Sequence, residues 1–415
     1  MGPVTSPGTI AMLVHTFPLH SATFVANEVR EMERRGRTPA LVAIRAPGPS
    51  EAPADMDDLR ERTRYLLPTG PVALLRAHAG ALARRPRGYL RALRAALWRG
   101  RMPARHRLRT LIHFGEAVVL GPILAEVGCR HLHVHALSGA ATIAMLLGEM
   151  DGLSYSLTAH GTDIFVEKVL LAEKIAGSRF TRVGTRFNRD HLVRVHGADP
   201  ARIHVMPFGV DVEVFRPAPG AAATMAEGRA SDGAIRLVSV GRLVWQKAHH
   251  LLLGACARLR RRGIAFRLTI IGEGEERPAL EALRASLGLD DVVDLPGAAP
   301  EAEVARALGR SDLFVLASVS EGFGLVLLEA MACGLPVVVP ALNGLPEVVA
   351  DGVEGRLFAP GSEADLAAAI TALAADPDLR RRLGAAGRRR VVDSCRLEDR
   401  VAGFVRMLDA AAGAP

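Results

Sequence analysis

At 415 residues the chain is long for one hydrophobic core and comfortable for two. Its composition, 49% hydrophobic and 23% charged, is globular, and no apolar run reaches the roughly 18–20 residues that span a bilayer. The net charge of +8 rests on 52 basic residues, of which only Lys168, Lys174 and Lys247 are lysines. Base composition alone can produce such an arginine-rich chain, so no nucleic-acid partner is expected.

The start, MGPVTSPGTIAMLVH, carries no basic region ahead of its apolar one, so no signal peptide is read there. TIAMLVH (9–15) reads as a strand, TFVANEVREMERRG (23–36) as an amphipathic helix ending at glycine, and PALVAIR (39–45) as a second strand. DMDD (55–58) offers a D-x-D but sits in a polar loop with no buried strand before it, and reads as surface acid. Between Arg84 and Arg109 stand ten arginines and no acid, interleaved with Leu90, Leu93, Ala96, Leu97 and Trp98. That pattern fits a solvated helical face or a peripheral contact with an anionic membrane. Tyr89 and Trp98 are too few aromatics for stacking single-stranded nucleic acid.

HLHVH (131–135) and SYSLTAH (154–160) are the next strands. Alternation puts His131, His133 and His135 on one face, a spacing zinc could use, but no acidic or cysteine ligand accompanies them. Cys129, Cys256, Cys333 and Cys395 form no CxxC pair, which suits a reducing cytoplasm. FRPAPGAAATMAEGRASDGA (215–234) reads as a linker or surface insertion. Beyond it come the strands AIRLVSVG (234–241), FRLTIIG (266–272), DLFVLAS (312–318) and LPVVVP (335–340), then a helix over RLEDRVAGFVRMLDAA (396–411). Strands alternating with helices predict an α/β chain of two doubly wound, Rossmann-like domains facing across a cleft. The expected division is a domain over 1–208, a linker over 209–234, a domain over 235–394 and a closing helix over 395–415 that returns to the first domain.

Ligands gather beyond the carboxyl ends of parallel strands, and EGFGLVLLEAMACGLPVV begins there, with Glu321 just after the strand 312–318. Gly322 and Gly324 permit close approach of a ligand to the backbone, and a helix from Leu325 to Met331 offers its first amides to an anion. Glu329 stands among apolar neighbours, where a carboxylate is costly unless hydroxyls such as a ribose diol meet it. Arg242 directly follows a strand and its glycine, and Lys247 opens the next helix, two cations suited to a diphosphate. IIGEGEE (270–276) is a glycine-rich turn, and no P-loop is present, which sets an NTP hydrolase aside.

SEGFGLVLLEAMACGLPVV, VGRLVWQK and GEG together resemble the donor-binding half of retaining family 4 glycosyltransferases of the GT-B fold. HTFPLHSATFVANEV (15–29) and residues 131–165 resemble the colanic-acid and exopolysaccharide branch, which carries an acid where Ala22 stands. The resemblance implies a nucleotide-sugar donor, UDP-hexose by family frequency, and a saccharide or lipid-linked acceptor. It places Glu321, Gly322, Phe323 and His160 on the sugar, Glu329 on the ribose, and Arg242, Lys247, Gly324 and Leu325 on the diphosphate. Glu321 and His160 are the catalytic candidates, with neither assigned as a covalent nucleophile. Phe17, Ser21, Thr23, His135 and Asp163 fall on the acceptor side. No cofactor and no metal are expected, because cations already face the leaving group. A natural-product glycosyltransferase, a nonhydrolysing sugar-nucleotide epimerase, a phosphorylase and a basic binding module are the alternatives.

Overall fold

The structure is a computed structural model describing residues 9–48, 54–100, 103–166, 169–218 and 233–413. Two wholly parallel sheets form. The first contains β1 (Thr9–Thr16), β2 (Ala40–Arg45), β3 (Arg64–Tyr65), β4 (Cys129–Val134), β5 (Ser154–Thr158), β6 (Thr181–Val183) and β7 (Ile203–Val205). Its spatial order is β3-β2-β1-β4-β5-β6-β7. The second holds β8 (Ile235–Val240), β9 (Phe266–Ile271), β10 (Val293–Gly297), β11 (Leu313–Val315), β12 (Val337–Pro340) and β13 (Gly355–Phe358), ordered β10-β9-β8-β11-β12-β13. Each order reverses beside its first strand, between β1 and β4 and between β8 and β11. At such a reversal the connections leave toward opposite faces and open a crevice at the carboxyl ends.

Burial on both faces explains the unbroken apolar runs. Leu237, Leu313 and Val338 enter one core of the second sheet, while their neighbours Val238, Phe314, Val337 and Val339 enter the other. The chain divides into two compact units, Met1–Pro207 with Val401–Pro415, and Phe208–Arg400. The helix Leu397–Ala412 therefore ends in the first unit. It buries Val401, Phe404 and Leu408, an i, i+3, i+7 stripe, and ties Asp409 to Arg37 at 2.9 Å.

Three expectations change. Phe208, Val210, Val212 and Phe215 are buried in the second unit's core, so the front of the segment read as a linker is packed structure, and 219–232 lie outside the described residues. The arginine-rich stretch is two helices, Pro86–Trp98 and the start of Ala104–Glu126, rather than one face. Ala104–Glu126 is also long and apolar enough to cross a membrane, yet it buries Phe114, Ala117, Val118, Leu120 and Leu124 in the first unit's core.

Candidate active site

In the second unit, neighbouring strands β8 and β11 deliver the decisive pair. The loop after β8 carries Lys247 and the loop after β11 carries Glu321, and Lys247 Nζ donates to Glu321 Oε2 at 2.6 Å. Both side chains are largely withdrawn from water. Backbone bonds lock the two loops together, Val319 N donating to the Gln246 carbonyl at 2.9 Å. Glu321 also accepts from the Gly322 amide at 3.1 Å, and its carbonyl accepts from Asn343 Nδ2 at 3.2 Å. The GEG turn supports this arrangement from below. A Cβ on Gly272 would stand 1.9 Å from the Gly241 carbonyl oxygen and one on Gly274 2.3 Å from that of Leu243, so both glycines let the β9 loop press against the β8 loop.

Helix Leu325–Ala332 follows directly. Gly324 caps it at φ +76, and no side chain accepts from its first amides. Arg242 lies on the Lys247 loop, exposed and without an ion-pair partner among the described residues. Glu329 projects from the same helix further along, partly buried. Burial raises its carboxyl to about 8, and the negative charge of Glu301 adds to the shift. The structure thus joins Lys247 to Glu321, keeps Arg242 on the Lys247 loop and sets Glu329 within reach of the charge of Glu301.

In the first unit the loops after β1, β4 and β5 surround a buried polar cluster. His160 follows β5, and its amide donates to Asp163 Oδ2 at 3.1 Å. Asp163 is buried in this bond, so it positions the loop rather than facing an acceptor. The His160 ring lies 4.9 Å from Phe24 and stacks at 6.4 Å on His135. Burial first, then the charges of His135 and Arg182, lower its imidazole to about 3 against an upward pull from Glu28. It is a neutral ring at physiological pH. His135 is likewise lowered to about 3 by burial and Arg182.

Two residues not singled out in the sequence complete this cluster. Glu28, buried on the core face of helix Thr23–Arg34, accepts from fully buried Arg182 at 2.7 Å, and its other oxygen lies 3.9 Å from His135 Nε2. Glu28 shares a stripe with Val25, Val29 and Met32, and an acid on an apolar stripe was a readable signal. Arg182, in a three-residue strand, offered none. Phe17 is sealed in the core, so its ring cannot meet an acceptor. Thr23 opens the helix half-buried, and the Ser21 side chain lies outside the described residues.

His131 and His133 have a different task from the one their spacing raised. His131 binds Ser154 Oγ at 2.9 Å and Ser156 Oγ at 2.7 Å, and His133 binds Ser156 Oγ at 2.8 Å and Thr158 Oγ1 at 2.9 Å. These imidazoles zip β4 to β5, their nitrogens used in cross-strand bonds. No group of three metal-ligating side chains occurs among the described residues.

Residues 223–390 match the family described as glycosyl transferases group 1. Over 389 residues the chain is 30% identical to WcaL of Salmonella typhimurium, described as a colanic acid biosynthesis glycosyltransferase, spanning 87% of this chain and 89% of that one. This chain belongs to the group 1 glycosyltransferases. Its fold is that of the GT-B glycosyltransferases. It is also 43% identical over 227 residues to the D-inositol 3-phosphate glycosyltransferase of Frankia alni, a match over 52% of this chain and only 56% of that relative's length. The HepE protein of Anabaena, solved in complex with UDP, superposes with a TM-score of 0.71 over 97% of this chain and 100% of that one, at 14% identity.

Proposed function

We propose that this glycosyltransferase moves a hexosyl group from a nucleotide sugar to a saccharide or lipid-linked acceptor, with retention at the anomeric carbon, in exopolysaccharide or cell-surface glycan synthesis. The Lys247–Glu321 pair at the β8/β11 reversal carries the reading. A donor's diphosphate would draw Lys247 from Glu321 and take Arg242 and the first amides of helix Leu325–Ala332, which together stabilise charge on the leaving group. Glu321, released, would accept from hydroxyls of the sugar. Glu329, with its carboxyl raised to about 8, is neutral near pH 7 and can donate one hydrogen bond and accept another, which suits a ribose diol. In the first unit the neutral His160 ring can exchange hydrogen bonds with sugar hydroxyls.

UDP is the base we favour, the nucleotide with which the Anabaena protein was solved. Catalysis needs no metal in this reading, since cations and amides cover the leaving group. The colanic acid relative supports an exopolysaccharide role, exercised in the cytoplasm at the inner face of a membrane where a lipid-linked acceptor lies.

Screening nucleotide sugars for release of free nucleoside diphosphate, with and without acceptors, tests the proposal. Lys247→Ala and Glu321→Ala should each lower turnover about 100-fold or more while leaving the circular dichroism spectrum unchanged. Near-normal turnover in both variants would remove the site assignment.

A further inference from the structure

At the amino end of the first sheet, opposite the loops that carry His135 and His160, the segments entering β5, β6 and β7 enclose a pocket of about 310 Å³. Leu153 leads into β5, Gly177 to Arg179 lead into β6, and Arg202 closes the turn Pro200–Arg202 before β7. These strands run parallel, so their leading segments gather at one edge. Tyr155 forms the floor, buried, with its hydroxyl donating to the Lys174 carbonyl at 2.8 Å. A Cβ on Gly177 would stand 2.4 Å from that hydroxyl and one on Gly148 3.2 Å from the ring, so both glycines make room for it.

Among the described residues that line it, Arg99, Arg179 and Arg202 bring guanidinium groups and Glu149 alone a carboxylate. Glu149 is already engaged, with Arg99 Nη1 2.7 Å from one oxygen and Arg91 Nε 3.2 Å from the other. Arg202 Nη1 donates to the Ser178 carbonyl and Arg179 Nε to Ser154 Oγ, each at 3.2 Å. Neither arginine has an ion-pair partner among the described residues. The lining therefore carries two positive charges in surplus. That charge is felt inside the sheet, where burial and then Arg179 lower the His131 imidazole to about 4.

Guanidinium forks take phosphate oxygens in pairs, and a phosphate monoester carries about two negative charges near pH 7. Such a group cancels the surplus, and a recess of this volume admits a small metabolite as well as its phosphate. We propose that the pocket is a binding site for a small phosphorylated metabolite, with Arg179 and Arg202 holding its phosphate. The five residues of β5, roughly 17 Å at 3.3 Å each, separate it from His160, so it stands apart from the reacting end of the sheet. Ser154, at its wall, begins a buried chain of hydrogen bonds through His131, Ser156 and His133 to Thr158. Ser154 gives its one proton to the Ala411 carbonyl at 3.2 Å, so His131 donates to it from Nδ1 and reports what Ser154 meets. The site goes beyond the transfer reaction proposed above and does not rest on it.

Calorimetric titration of the full chain with glucose 6-phosphate and with inorganic phosphate tests it. Both should bind, glucose 6-phosphate more tightly, with a dissociation constant of about 1 mM or below. Arg179→Gln/Arg202→Gln should weaken glucose 6-phosphate at least about tenfold without shifting thermal unfolding, whereas Lys247→Ala should keep the parent's affinity. In the parent, saturation should move the imidazole nitrogen resonances of His131, whose partner Ser154 lines the pocket. No heat with either anion, or binding that survives the double variant, would overturn the proposal. Loss of binding in Lys247→Ala would assign the heat to the donor site, and equal affinity for the two probes would reduce the pocket to adventitious anion binding; either result overturns it, as would unmoved His131 resonances.

Discussion

Glu329 shows how one buried carboxyl makes stability depend on pH. Burial and Glu301 raise it from 4.5 to about 8, so across that interval the unfolded chain has released a proton the folded chain retains. Stability must then fall as pH rises from about 4.5 to about 8. Glu329→Gln removes the group that titrates. Urea unfolding should find the variant and the parent alike near the acid end of this range and the variant more stable at its basic end. Identical pH profiles for the two would contradict the burial of this carboxyl. At the same scale, Glu321 and Lys247 were readable because each is a charge at a strand end, whereas the direct 2.6 Å bond between them was not. They stand 74 positions apart in the chain, and only the parallel pairing of β8 with β11 brings their loops together.

Strands β4 and β5 are joined by more than their backbone ladder. The register sets His131 beside Ser154 and His133 beside Ser156, so the alternating histidines meet alternating hydroxyls. Ser156 Oγ serves both rings and is wholly buried. Ser156→Ala should strand a nitrogen on each imidazole and cost about 1–3 kcal/mol, measured by chemical denaturation. An unchanged midpoint would mean that the zipper contributes nothing. The histidines' shared face followed from period-two alternation, but their partners depended on which strand lies alongside. The longer strands were legible as apolar runs. The two-residue β3 and three-residue β6 and β7 were not, being too short to show a period.

The last helix links the two ends of the chain within the first unit. Phe404 lies 4.8 Å from the His133 ring and under the Arg182 guanidinium at 4.8 Å, covering the polar cluster. A chain ended after Arg400 loses Val401, Phe404 and Leu408 from that core and should destabilise the first unit by on the order of 5 kcal/mol. Hydrogen exchange should then quicken in β4, β5 and β6 and hold steady in β8, β9 and β11; uniform exchange throughout would contradict the assignment of the helix from Val401 onward to the first unit. By itself the sequence determined the α/β class, the longer parallel strands, the family motifs and the two charged strand ends, because all of these are local patterns of periodicity and residue type. Tertiary structure alone decided that Lys247 meets Glu321, that Glu28 and Arg182 share the histidine cluster, and that helix Pro86–Trp98 turns its alanines inward. Each of those is a contact between distant segments, and its energy depends on which surfaces the fold presses together.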